Sequence, residues 1–81
     1  MKSENNQTAT IHAHRSNEQF WNFYVDLVER NGGFLRFYQL DSETRSNIIN
    51  QELEQFHASL HGHIIVFESE KYKTWFIMRW S

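Results

Sequence analysis

The chain has 81 residues, 40% hydrophobic and 16% aromatic, with a formal charge of -2, five histidines and neither cysteine nor proline. Without a thiol, cysteine nucleophiles, disulfides, thiolate metal sites and persulfide carriage are all excluded. A near-neutral balance, with a sequence pI of about 6.2, supports neither a basic nucleic-acid binder nor a strongly acidic mimic of DNA.

A chain of this size makes one small domain that buries only about 60–65% of its unfolded surface. Residues 1–7 are polar and without period, and they read as a flexible tail. Residues 8–81 then form a single α/β domain. The opening MKSENNQTAT lacks the apolar core of a signal peptide, and no run approaches ~18 apolar residues. The expectation is a soluble, cytoplasmic protein with no membrane partner.

From Thr8 to His14 the chain alternates, with Ala9, Ile11 and Ala13 on one side and Thr10, His12 and His14 on the other. That pattern predicts a strand with one buried face. Ser16-Asn17-Glu18-Gln19 has the form of a capping box. The helix it opens carries Phe20, Phe23, Tyr24, Leu27 and Val28 on one stripe, which Trp21 and Val25 widen. Asn31-Gly32-Gly33 ends it.

Phe34 to Leu40 reads as a second strand, apolar on both faces. Asp41-Ser42-Glu43 offers an N-cap with an acid in the first turn. The helix that follows buries Ile48, Ile49, Leu53, Phe56 and Leu60 and stops at Gly62. His63 to Trp80 reads as a hairpin, with strands at Ile64–Phe67 and Trp75–Met78 and a charged loop at Glu70-Lys71 that sets Glu68 opposite Lys73. In that register Ile65, Phe67, Phe76 and Met78 share one face, and Ile64, Val66, Trp75, Ile77 and Arg79 the other.

The predicted order is β-α-β-α-β-β: a two-layer α/β sandwich with two helices on one face of a four-stranded mixed sheet. The other sheet face is left open. In length and element order the chain resembles the small sulfur-carrier proteins of the TusA/SirA type, and also the C-terminal domain of bacterial translation initiation factor three. The sulfur-carrier signature is a Cys-Pro pair entering the first helix, where this chain reads Arg15-Ser16-Asn17-Glu18. The resemblance therefore implies a fold, or a homologue that has lost its cysteine, and not sulfur transfer.

Among the histidines, His57 and His61 stand four apart on the predicted second helix with His63 just beyond, a spacing that can present imidazoles to one metal ion. Imidazoles near a helix C-terminus are equally explained by the helix dipole. No cofactor is expected. His12, Arg36 and Glu68 are the most that the open face assembles for acid–base chemistry, and no hydrolase, metalloprotease or nucleotide-binding motif is present. The leading expectation is a non-enzymatic protein-binding module, an inhibitor or adaptor of the immunity, antitoxin or phage anti-defence kind. It would act through an open sheet face of Arg36, Tyr38, Val66, Trp75, Ile77 and Arg79, with Trp75 and Tyr38 as anchors. The partner would be another protein or a second copy. Single-stranded nucleic acid is the alternative, held on the same face by Arg36, Tyr38, Lys73, Trp75 and Arg79.

Overall fold

Strand alternation governs three short stretches among the described residues. The computed structural model describes residues 8–81; the predicted tail, residues 1–7, lies outside them. In chain order the elements are β1 (Ala9–His12), α1 (Glu18–Arg30), α2 (Gly33–Gln39), α3 (Ser42–Leu53), a 3-10 turn (Glu54–Phe56), β2 (Ala58–His61), β3 (Ile64–Phe67) and α4 (Glu70–Arg79). The strands form one antiparallel sheet in the order β1-β3-β2. The fold is thus α/β, with four helices and three strands among the described residues. It is not the predicted four-stranded mixed sheet. The β-α-β-α-β-β order on which the likeness to sulfur carriers rested is not the order observed.

Cross-strand partners give the sheet two distinct faces. Ala9, Phe67 and Ala58 form one row, and Ile11, Ile65 and Leu60 the next. These rows face the helices, and Ile65 and Phe67 are fully buried. The intervening rows, Thr10-Val66-Ser59 and His12-Ile64-His61, turn outward, and Ile64 is 40% exposed. One covered face and one open face were expected. The open face, however, carries mostly small polar and histidine side chains and not the predicted aromatic ones.

Helix α1 forms where its stripe predicts, with Phe20, Phe23, Leu27 and Val28 buried. Its cap lies one residue later than the box suggests. Asn17 Oδ1 accepts from the Phe20 N–H at 2.9 Å, while Ser16 is engaged with the His14 ring. The helix ends as Asn31 Nδ2 donates to the Leu27 carbonyl and Gly32 takes φ +99°, a conformation that glycine adopts without steric cost.

Three elements differ from the sequence reading, each for a stated reason. The segment Phe34 to Leu40, read as a strand, is helix α2. Phe34, Phe37 and Tyr38 at i, i+3 and i+4 form a helical aromatic group, and seven apolar-rich residues satisfy either period. The helical turn sends Phe37 into the core while Phe34 and Tyr38 stack at 5.9 Å beside α1. Helix α3 ends at Leu53 and not near Leu60, because His57 takes a left-handed conformation (φ 51°) and reverses the chain. Ala58–His61 then pairs with β3 across a two-residue turn in which Gly62, at φ +63°, supplies the positive angle that a tight hairpin turn needs. The true hairpin is therefore β2–β3.

The last predicted strand, Trp75–Met78, is part of helix α4. Tyr72, Phe76 and Trp80 recur at intervals of four and give one inward stripe, with Phe76 and Trp80 buried. The predicted Glu68–Lys73 ladder pair does not form: Lys73 lies 3.9 Å from Glu70 on its own helix, and Glu68 faces His57 at 3.7 Å. Phe76 is the centre of the core, with the rings of Phe23, Phe56 and Phe67 at 5.3, 5.1 and 5.5 Å. No helix among the described residues is long and apolar enough to cross a membrane.

Candidate functional site

The six residues expected to share an open sheet face fall on three separate elements. Arg36 and Tyr38 stand exposed on α2, Val66 lies half-buried on the outer face of β3, and Trp75, Ile77 and Arg79 belong to α4. Trp75 leans edge-on against Phe56 at 5.6 Å, and the Arg79 guanidinium covers the Trp80 ring at 4.2 Å. Helical geometry is the cause, since period 3.6 separates side chains that period 2 would align. Lys73, proposed with these for nucleic acid, is also on α4. The predicted His12, Arg36 and Glu68 group is not assembled: His12 pairs with Ile64 at one end of β3, Glu68 follows Phe67 at the other, and Arg36 is on α2.

The histidine set is dispersed in the same way. His57 sits in the turn before β2, stacked on Tyr72 at 4.1 Å. His61 closes β2, on the order of 13 Å of strand away at ~3.3 Å per residue, with Nε2 2.8 Å from Ser59 Oγ. His63 is in the hairpin turn, where its carbonyl accepts from the Ala13 N–H at 2.7 Å. Among the described residues no three His, Asp or Glu side chains come together to hold a metal ion. The helix that would have aligned His57 with His61 is a strand.

The structure does assemble one aromatic surface, on α1 and α2. One turn of α1 separates Phe20 and Trp21 from Tyr24, and the short, glycine-freed connection folds α2 back beside them. Trp21 stacks on Phe34 at 6.3 Å, Phe34 on Tyr38 at 5.9 Å, and Phe20 on Tyr24 at 5.5 Å. The Tyr24 and Tyr38 hydroxyls meet at 2.7 Å. Burial, reinforced by that bond, pushes the Tyr24 phenol well above its usual range. Leu35, next to this group, is 86% exposed, and Phe34 and Tyr38 also reach solvent.

Alongside lies an open groove of about 440 Å³, walled by Phe20, Trp21, Tyr24, Tyr38, Ile49 and Leu60, with Arg15 and His14 at its lip. Arg45, one turn before Ile49 on α3, places its guanidinium 5.3 Å over the Tyr38 ring. Among the described residues neither Arg15, Arg36 nor Arg45 enters an ion pair, whereas Arg30 bonds both Asp26 and Glu52 at 2.8 Å. Asp41, a turn before Arg45, has its carboxyl held below the ordinary range, first by the Thr44 hydroxyl and least by Arg45. The groove offers a ligand apolar ring surface, with the Arg15 guanidinium at its lip and that of Arg45 over the Tyr38 ring.

Of the residues expected to bind a partner, only Tyr38 lines this groove. The available signal was the width of the α1 stripe: Trp21, beside Phe20 and Tyr24, needs a neighbour that a two-layer core does not supply. Comparison with protein-family models, curated proteins and solved structures finds no match to this chain.

Proposed function

We propose that the chain is a small, non-enzymatic protein-binding module of the inhibitor or adaptor kind, working through the aromatic surface of α1 and α2. The observation that carries this reading is the run of Trp21, Phe34, Leu35 and Tyr38, in which three of the four are exposed side by side on two adjoining turns of structure. Large apolar groups displayed together are the kind of surface patch that often serves as a contact site. Trp, Tyr and Arg are also the residue types that dominate interface energetics. What the surface presents is contact area with guanidinium groups around it, which suits recognition and not proton transfer.

Capture from lysate of the native host, compared between the native chain and two variants, tests the reading. Leu35→Asp places a charge at an exposed position that makes no core contact, so the fold is retained. It is expected to remove a stoichiometric protein partner, at a cost of at least ~2 kcal/mol in affinity. Trp75→Ala, on α4, is expected to leave capture intact. Retention of the partner by the Leu35 variant, or loss only in the Trp75 variant, would move the interface off α1 and α2. An eluate of nucleic acid, lost with nuclease, would favour the single-stranded nucleic-acid alternative.

A further inference from the structure

Resting on that protein-binding reading, we infer that the groove between α1, α2 and α3 takes a short acidic segment of the partner, with one large apolar side chain seated between two carboxylates. The floor is apolar and aromatic, and about 440 Å³ accommodates one large side chain with its neighbours. Charge decides the rest. Arg15 precedes α1, whose cap is Asn17; Tyr24, which meets Tyr38 beneath Arg45, lies seven residues further. At ~1.5 Å per helical residue the Asn17 cap, just after Arg15, and Tyr24, under the Tyr38–Arg45 pair, are on the order of 10 Å apart along α1, which sets the scale of the groove. An extended peptide covers that span in about three to four residues at ~3.3 Å each. The matching ligand is thus an acid, an apolar anchor about two residues on, and a second acid two residues beyond that.

Both arginines are without an ion-pair partner among the described residues, in a chain whose net charge is -2. Guanidinium groups grip carboxylates through paired N–H donors, so each is suited to an acidic side chain. A polyphosphate backbone fits less well. One arginine in the lining of a hydrophobic recess and a second over the Tyr38 ring in its wall, with no lysine in the lining, do not form the continuous basic track that nucleic acid follows.

The test is a nuclear magnetic resonance titration of the isotope-labelled full chain. The probe is an eight-residue synthetic peptide with a central tryptophan–leucine pair flanked by three glutamates on each side; the same peptide with lysines in place of glutamates is the control. Saturable shifts at the Trp21 indole and at Ile49, Leu60 and Gly62 are expected with the glutamate peptide. Affinity should be at least tenfold weaker for the lysine peptide and for Arg15→Glu or Arg45→Glu, and the double variant should prefer the lysine peptide. Unchanged melting of the variants separates these losses from misfolding, with Arg45→Gln as the milder substitution if Arg45→Glu unfolds.

Equal binding of both peptides, shifts confined to other surfaces, no binding at millimolar peptide, or tighter binding of an oligodeoxythymidine would each overturn the inference. Its failure is distinct from failure of the module reading. If Leu35→Asp abolishes capture of a partner while the arginine variants retain it, the module stands and the acidic segment does not.

Discussion

Trp75 and Phe76 are adjacent in sequence and opposite in environment. Phe76 has no exposed surface and three aromatic neighbours, whereas Trp75 is half exposed with one edge contact to Phe56. Phe76→Ala is expected to cost about 3–5 kcal/mol through lost burial and the cavity left behind. A domain of this size has roughly 4–11 kcal/mol of stability in all, so that variant stands close to unfolding. Trp75→Ala should cost about 1 kcal/mol, the scale of a single aromatic edge contact. Urea unfolding of the two variants checks both figures. Comparable losses would favour a strand at this position, whose two faces each bury one ring.

At the level of elements, legibility followed length. The 13-residue α1 was readable because its stripe repeats over more than three turns, too many for a strand to imitate. Helix α2 has seven residues, and Phe34 to Leu40 carries large side chains at both even and odd positions, so period alone leaves it undetermined. Helix α4 contained a usable signal in Tyr72, Phe76 and Trp80 at spacings of four, which the β-favouring run Trp75–Met78 outweighed. Leu53, Phe56 and Leu60 match a helix, but Ala58 and Leu60 alternating with Ser59 and His61 match a strand equally well. Only the partner strand decides between them. The cap of α1 distinguishes two readings by experiment. Asn17→Ala should cost about 1 kcal/mol and Ser16→Ala close to nothing, measured by thermal or chemical unfolding, because the capping bond belongs to Asn17. The reverse order would restore the capping box at Ser16.

For the whole molecule, the sequence indicated a surplus of aromatic surface but not its address. A sheet would have gathered Tyr38 and Trp75 onto one face; helices α2 and α4 send them to different ones, and the surplus collects instead where α2 folds back on α1. That junction gives the molecule an alkaline limit. The Tyr24 phenol is raised by burial and by its bond to Tyr38, so the folded state favours the neutral form. The stabilisation is complete below a pH of about 10, the unfolded tyrosine value, and is lost as pH rises from there toward the folded value. Melting temperatures followed from pH 8 to 11.5 should fall above pH 10, and fall less in Tyr24→Phe, which has no proton to lose. A Tyr24→Phe profile parallel to that of the native chain would place the alkaline transition elsewhere.

The outward N–H of Leu60 on β2 is held by Asn50 Oδ1 at 2.7 Å. A visiting strand approaching along that side finds a donor already occupied and a helix side chain in the way, a common means of keeping sheets from joining edge to edge. Pairing there would first have to break the Leu60–Asn50 bond, so a helix that covers the core also guards a strand edge.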